Sequence, residues 1–411
     1  MFQTIAALVS LAAIASYVNH RFVRLPTTIG LMTIALVLSL SLVALDKFDI
    51  IEHAKAVAFV RSIDFSEIVL DGLLAFFLFA GALHVNLADL SRQKLPVAVL
   101  STVGVVISTF VVGALLWMAA YWLGIKFPFV YALLFGALIS PTDPIAVLGI
   151  LKKLRAPKSL EMTITGESLF NDGIAVVLFL TILGSALGQR QMGPEYFALL
   201  LGKEILGGIG LGLGLGWIVC WLLRNLDAYQ VEILLTLAVA AGSYALAQGL
   251  QVSPPIAVVV VGLIIGNHGR IAMSDKTREH LDNFWELVDE LLNAILFVLI
   301  GMEVIALKLN VTYLLMGAIA TAATLIGRFA SVAIPILIMR SKWSFTPGAI
   351  RILTWGGLRG GISIAMALSL PAGSKRDLIL AATYIVVVFS VLVQGLTLER
   401  MLKRWSGVAY T

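Results

Sequence analysis

The sequence predicts an all-α polytopic membrane protein of about thirteen transmembrane helices, an inverted repeat with two broken, crossing helices. Three observations lead there. Of the 411 residues, 60% are hydrophobic and only 13% are charged, whereas a soluble domain averages about 45–50% apolar and roughly 25% charged. Apolar stretches of about 17–25 residues, enough to cross a bilayer, recur along the whole chain. Two of them are interrupted at mid-length, one by prolines and one by glycines, seven spans apart.

Taken in order, "TIAALVSLAAIASYV" gives a first span at 3–18. No basic segment precedes it, so it reads as a retained helix rather than a cleaved signal. Long apolar runs give spans at 27–45, 96–123, 162–187, 197–223, 229–248, 311–339 and 377–397. Two spans are weaker: 65–84 carries Glu67 and Asp71 near its start, and 254–267 is short. The interruptions fall in the spans at 128–151 and 346–370, and the span at 284–305 begins in an acidic stretch.

The positive-inside rule fixes the expected orientation. With the N-terminus outside, seventeen Lys and Arg fall in inner segments, from Arg21 and Arg24 to Lys403 and Arg404. Eight fall outside: Lys47, Lys55, Arg61, Lys126, Arg190, Lys308, Lys375 and Arg376. An odd number of spans with a cytoplasmic C-terminus, in the cell (inner) membrane, is favoured. Few residues follow the flank Gln394–Arg404, so no soluble regulatory domain is expected. The net charge of +5 is spread over loops, which argues against nucleic acid. The single Cys220 lies in an apolar segment, so disulfides play no part.

Charges at membrane depth are rare and usually mark an ion or substrate path. Here the acids Asp143, Glu167 and Asp172 and the bases Lys203, Arg328, Arg351 and Arg359 fall within or at the ends of spans. In "ALISPTDPIAVLGI", residues 137–150, Pro141 and Pro144 flank Thr142 and Asp143. Two prolines three apart remove two backbone donors and clash with the preceding turn, so the helix should break. Broken backbone survives at this depth only where protein or water covers it. A plain kink would need no carboxylate between the prolines.

The stretch "GESLFNDGIAVVLFL", 166–180, read as a helix, places Glu167, Asn171, Ser168 and Asp172 on one arc. Oxygen-bearing groups of this kind suit hard cations, and there is no Cys/His set for zinc or copper; the alternative is a satisfied hydrogen-bond network. In "LTWGGLRGGISIAMALSLP", 353–371, Gly356, Gly357, Gly360 and Gly361 surround Arg359. Glycine loosens a helix, so this is a candidate second break. The buried guanidinium needs a counter-ion: Glu167 is the first choice and Asp143 the second, unless Arg359 snorkels to an interface. An odd offset of seven between the interrupted spans implies inverted topology, and paired interrupted helices point to a transporter's site.

Two further stretches stand out. "REHLDNFWELVDELL", 278–292, puts Glu279, Asp282, Glu286 and Asp289 on one helical face, beside Glu290. This is either a solvated helix end or an acidic funnel that concentrates cations. "LGGIGLGLGLGW", 206–217, spaces Gly208, Gly212 and Gly216 four apart inside an apolar span. That suits close helix contact, with a dimer interface as one setting for it.

"SPTDP" (140–144), "GESLFND" (166–172) and "GGLRGG" (356–361) together resemble the three signature motifs of monovalent cation/proton antiporters, the sodium/proton exchanger family. The Asn171–Asp172 pair resembles its electroneutral bacterial and archaeal branch. The resemblance implies that Asp172 carries the proton or the cation. Ser168, Asp143 through water and the Thr142 carbonyl would complete the cation site; Asn171 would steady the broken helix and Glu167 would pair with Arg359. It also implies a homodimer, with a core of roughly 65–187 and 284–397 moving against a dimer or scaffold part of roughly 1–45 and 197–267. No cofactor is implied beyond the transported sodium or other monovalent cation and the proton; the remaining partner is the lipid bilayer. Family members often carry an acid in a Gly-Leu-Glu-like motif of the third span. This chain reads "GALHVNL", with His84 at that place, which leaves sodium, lithium and potassium open. Arg328, an arginine inside a span, is a further candidate.

The expected chemistry is competition. A bare carboxylate among apolar helices is costly. A cation about 4 Å away contributes on the order of 4 kcal/mol at an effective dielectric near 20, enough to expel a proton. The site then holds one or the other, and one proton per cation follows from one uncompensated carboxylate. The nearest rival is a sodium-coupled symporter of a small organic anion, but no motif for its second substrate is visible. An intramembrane aspartyl protease would need a Gly-x-Gly-Asp element, which "LFNDG" lacks. A passive channel would need no titrating centre.

Overall fold

The computed structural model describes residues 2–46, 64–188, 194–224, 226, 228–307 and 310–405. Lys47, Lys55, Arg61, Arg190 and Lys308, expected on the outer side, lie outside the described residues. Among the described residues the regular elements are helical. The chain runs through α1 (Phe2–Val18), α2 (Thr27–Asp46), α3 (Leu74–Leu83), α4 (Leu87–Arg92), α5 (Lys94–Trp122), α6 (Phe129–Leu138), α7 (Ile145–Lys153) and α8 (Lys158–Ala186). It continues through α9 (Pro194–Leu223), α10 (Tyr229–Gly249), α11 (Pro254–Ile264), α12 (Asp275–Glu303) and α13 (Val311–Met339). The last four are α14 (Ala349–Trp355), α15 (Gly361–Leu368), α16 (Ser374–Phe389) and α17 (Gly395–Trp405).

Helix starts follow the local chemistry. Asn86 accepts the N–H groups of Ala88 and Asp89 at the head of α4. Ser253, followed by Pro254, caps α11, and Ser274 and Asn310 cap α12 and α13. Each gives an orphan N–H a side-chain acceptor.

Eight helical stretches among the described residues are long and apolar enough to cross a bilayer. Length and apolarity alone therefore give fewer spans than the thirteen expected. The physical reason is that α3, α6, α7, α11, α14 and α15 run only 7–11 residues each, while α12 carries the acidic stretch in its first half. The weak third span is a π-type turn over Glu67–Leu73 leading into α3. Its Leu70 carbonyl accepts the Tyr244 hydroxyl at 2.5 Å, and Asp71 Oδ1 accepts from Gln248 at 2.8 Å. The short span at 254–267 is α11 prolonged by a second π-type turn, Ile265–Gly269.

Small residues set the closest approaches. A Cβ on Gly136 of α6 would fall 2.2 Å from the Thr109 carbonyl oxygen of α5, and one on Gly266 would fall 2.1 Å from that of Leu83. The stripe Gly208, Gly212 and Gly216 in α9 faces Ser253, Ala257, Val260 and Ile264, on and around α11. These glycines therefore serve contact within one chain and not the dimer interface considered above. On another side, α1 and α2 pack on α12.

The centre is set by two interruptions. Residues 139–144 separate α6 from α7, and 356–360 separate α14 from α15. The breaks cross each other: the Asp143 N–H donates to the Leu358 carbonyl at 2.8 Å, as an antiparallel bridge. Both expected broken helices are present and run in opposite directions where they meet.

The glycine stripe generates a paired prediction. A Cβ on Gly212 would meet the Ala257 carbonyl at 2.6 Å and Val260 at 2.7 Å, while one on Gly214 meets nothing within 4 Å. Gly212→Ala should cost about 1–3 kcal/mol through overpacking. Gly214→Ala should be neutral or stabilising by up to about 1 kcal/mol, the helix-propensity gain. Thermal unfolding of the two purified variants in detergent checks the contrast.

Candidate functional site

Each break strips a helix of its continuing hydrogen bonds, and the side chains nearby replace them. At the first break, the Arg359 Nη1 donates to the carbonyls of Ser140 at 2.5 Å and Pro141 at 2.8 Å, just past the C-terminal end of α6. A cation is favoured at that end of a helix. Asp143 Oδ1 accepts the N–H of Ile145, the first residue of α7, at 2.9 Å. An acid is favoured there for the converse reason. Across the crossing, a Cβ on Gly360 would come within 3.1 Å of Asp143 Oδ2, so the carboxylate lies against the head of α15 as well.

The second break is closed from other elements. A π-type turn at Ser390–Gln394 follows α16. From it, Ser390 Oγ accepts the Arg359 N–H at 2.9 Å, and Gln394 donates to the Trp355 carbonyl at 3.0 Å. Arg328 of α13 donates from Nε to the Leu353 carbonyl at 3.1 Å.

The polar arc of α8 is turned to this crossing. Glu167, Ser168 and Asn171 are buried, and Asp172 is 8% exposed. Ser168 Oγ shares a hydrogen bond with Thr142 Oγ1 at 3.0 Å, and Asn171 Nδ2 donates to the same Thr142 Oγ1 at 2.8 Å. Thr142 thereby joins α8 to the first break. Asp172 Oδ1 and Asn171 Oδ1 have no donor among the described residues.

One expected pairing is corrected. Glu167 does not pair with Arg359; it forms a two-point ion pair with Arg328, whose Nη2 lies 3.0 Å from Glu167 Oε2 and whose Nη1 bonds Oε1. Both side chains are buried. Arg359 instead faces the two carbonyls, with its Nε and Nη2 unpartnered among the described residues. The cause is geometric: Arg359 sits inside the break, where loose carbonyls are at hand, whereas Arg328 reaches Glu167 from α13.

Asp172, Asp143, Ser168 and Thr142 share the wall of a cavity of about 600 Å³. Asp282, Glu286, Asp289 and Asn293, one face of α12, line the same cavity. Of the expected acidic stretch, Glu279 is exposed and absent from this lining, and Glu290 lines a different cavity, so the stretch is part cavity wall and part exposed helix end. His84 ends α3 and also lines this cavity, with its Nδ1 3.8 Å from Asp282 Oδ1. It stands with Asp282 and Arg270, which are bonded to each other, not among the groups that hydrogen-bond at the crossing. Sequence reasoning missed Asn293 and Ser363, whose Oδ1 and Oγ are buried and unpartnered among the described residues and which line the cavity. The four-residue step from Asp289 to Asn293 was the available signal for the first.

The buried pair yields a prediction. Glu167→Gln leaves the Arg328 charge without its counter-ion and should cost about 3–5 kcal/mol. Arg328→Met should cost as much, and Glu167→Leu combined with Arg328→Met should cost less than either single change. Unfolding midpoints of the three variants test this; a double variant as unstable as the sum of the singles would contradict it.

Residues 8–404 match the sequence model of the family described as "Sodium/hydrogen exchanger, transmembrane". The chain is 50% identical to the Na(+)/H(+) antiporter NhaP of Pseudomonas aeruginosa, over 98% of this chain and 97% of that one. It is 35% identical to the Na(+)/H(+) antiporter NhaH of Halobacillus dabanensis, over 97% and 96%. In fold it is similar to the sodium proton antiporter MjNhaP1 of Methanocaldococcus jannaschii, with a TM-score of 0.75, 20% identity and 99% of each chain covered. With its crossed helix breaks, its buried Asn171–Asp172 pair and a family match along nearly its whole length, this chain belongs to the sodium/hydrogen exchanger family.

Proposed function

We propose that the protein is a secondary active transporter that exchanges a monovalent cation, sodium foremost, for a proton at one to one, and that Asp172 binds the two in turn. The observation that carries this reading is a buried carboxylate with a donor-free Oδ1, on the wall of a cavity it shares with Asp143, Ser168 and Thr142. Family membership and the names of the relatives support it.

The charge balance follows from the contacts. Glu167 and Arg328 cancel as a pair. Arg359 and Asp143 cancel as two opposite charges at the crossing, each set against helix ends. Asp172 is left as one net negative charge. An empty site would carry that charge past apolar helices at high cost, while a proton or a cation removes the cost equally. Loaded forms therefore change sides and the empty form does not. The Ser168 hydroxyl and the Thr142 carbonyl are hard oxygen ligands suited to replacing a cation's water. A cavity lined by Asp143, Glu161, Asp172, Asp282, Glu286 and Asp289 against Lys152 disfavours an organic anion, so the symporter reading finds no support. The membrane setting proposed is the cell (inner) membrane, with the N-terminus outside and the C-terminus cytoplasmic. The working unit is a homodimer whose core moves against its scaffold.

In proteoliposomes under an imposed pH gradient, sodium-induced dequenching should vanish in Asp172→Asn and be heavily impaired in Asp143→Asn. Asn171→Asp is expected to retain exchange with altered charge transfer. Wild-type rates in Asp172→Asn would move the carrier role elsewhere. Because proton and cation compete for one carboxylate, acidification should raise the apparent KM for sodium, by up to about tenfold per pH unit, with the maximal rate little changed. A KM independent of pH would contradict a shared site.

A further inference from the structure

A second cavity, of about 790 Å³, lies away from the transport site between α1, the turn after it, α2 and α12. Its lining includes the basic His20, Arg21 and Arg24, the acid Glu290, and the apolar Val9, Ala12, Leu287 and Leu291. Leu287 and Leu291 are 65% and 46% exposed. Arg21 and Arg24 lie where one candidate span, Ala6–Val23, gives way to the next, Thr27–Leu45. Arg21 sits in the last turn of the first span and Arg24 directly after it, at the end of a membrane helix, where basic side chains meet lipid headgroups.

The turn that holds the two arginines is a built feature. Arg24 has φ 57° and ψ 29°, in the left-handed region, a conformation that a non-glycine residue rarely adopts. It is fixed by the Arg24 N–H donating to the Asn19 carbonyl at 2.6 Å. The buried Asn19 side chain also grips both backbone groups of Leu25, donating to its carbonyl at 3.0 Å and accepting its N–H at 3.3 Å. Gly30 makes room for that side chain, since a Cβ there would fall 2.1 Å from Asn19 Oδ1. The structure gives neither arginine an ion pair with a described residue, although Glu290 lines the same cavity.

We infer that this cleft binds the phosphate of an anionic phospholipid, with Arg21 and Arg24 as the phosphate ligands and an acyl chain along α1 and α12. A turn that holds two guanidinium groups without an ion pair to a described residue, at the end of a span and in one cavity with Leu287 and Leu291, fits that ligand. Guanidinium groups match phosphate oxygens by two-point hydrogen bonding, and basic pockets between membrane helices take anionic headgroups.

The test uses the full chain in neutral detergent, titrated with short-chain phosphatidylglycerol, short-chain phosphatidylcholine or inorganic phosphate while thermal unfolding is followed. Phosphatidylglycerol should stabilise the protein saturably, and the other two should not. Arg21→Gln combined with Arg24→Gln should weaken that binding by roughly 30-fold, the effect of two basic groups at an anionic surface. Arg92→Gln, an exposed arginine outside the cavity, should leave it unchanged. Glu290→Gln, which removes the opposing charge, should bind phosphatidylglycerol more tightly, an outcome that a folding defect does not produce. The inference is overturned if the double variant binds within threefold of wild type, or if phosphatidylcholine or inorganic phosphate alone stabilises equally. It is overturned too if Glu290→Gln binds no more tightly.

Discussion

Where the two interrupted helices cross, Asp143 and Arg359 stand in for the peptide groups that each break leaves without partners. Hydrocarbon offers no water to do this, and an unsatisfied backbone group there costs several kcal/mol. An acid against the heads of α7 and α15 and a base against the last carbonyls after α6 solve the problem with opposite charges. The same solution gathers charge and free oxygen at the crossing, where the exchange proposed above would hold its cation. Stability and function here draw on one arrangement.

The crossing is braced from outside by a second arrangement of the same kind. Arg328 reaches from α13 to Glu167 on α8 and, with its Nε, to the end of α14. Ser390 and Gln394, presented by a π-type turn, close the N–H of Arg359 and the carbonyl of Trp355. A π-type turn widens the helix locally and re-aims side chains, and here both re-aimed groups meet the break. Thr142 completes the bracing through two hydrogen bonds to α8. Asp172 is thereby carried on a helix fixed to both breaks.

The sequence made the breaks and the carboxylates legible for local reasons. Two prolines around Asp143 and four glycines around Arg359 change the backbone whatever surrounds them, and an acid in an apolar run must have a purpose. What it did not disclose is who meets whom. Glu167 and Arg328 are 161 residues apart, and one arginine in an apolar helix looks like another until the helices are packed. The glycine stripe of α9 announced a close contact but not that α11 supplies it. The acids of α12 were legible as one face, while the direction of that face depends on how α12 sits beside α3 and α15. His84 was legible only as a position in a motif; that it lines the same cavity as Asp143 and Asp172, with Asp282 at 3.8 Å, depends on the packing of α3 against α12.

The shortness of the half-helices has an electrical consequence. At about 1.5 Å per residue, α6, α7, α14 and α15, of 10, 9, 7 and 8 residues, each reach only about 10–15 Å. That is half or less of a hydrocarbon layer about 30 Å thick. Along these half-helices the apolar distance on either side of the polar seam is therefore short, while α5, α8 and α13 beside them run 29 residues each. In the one-to-one exchange proposed above, the occupied seam would be neutral and its crossing would be indifferent to the membrane voltage.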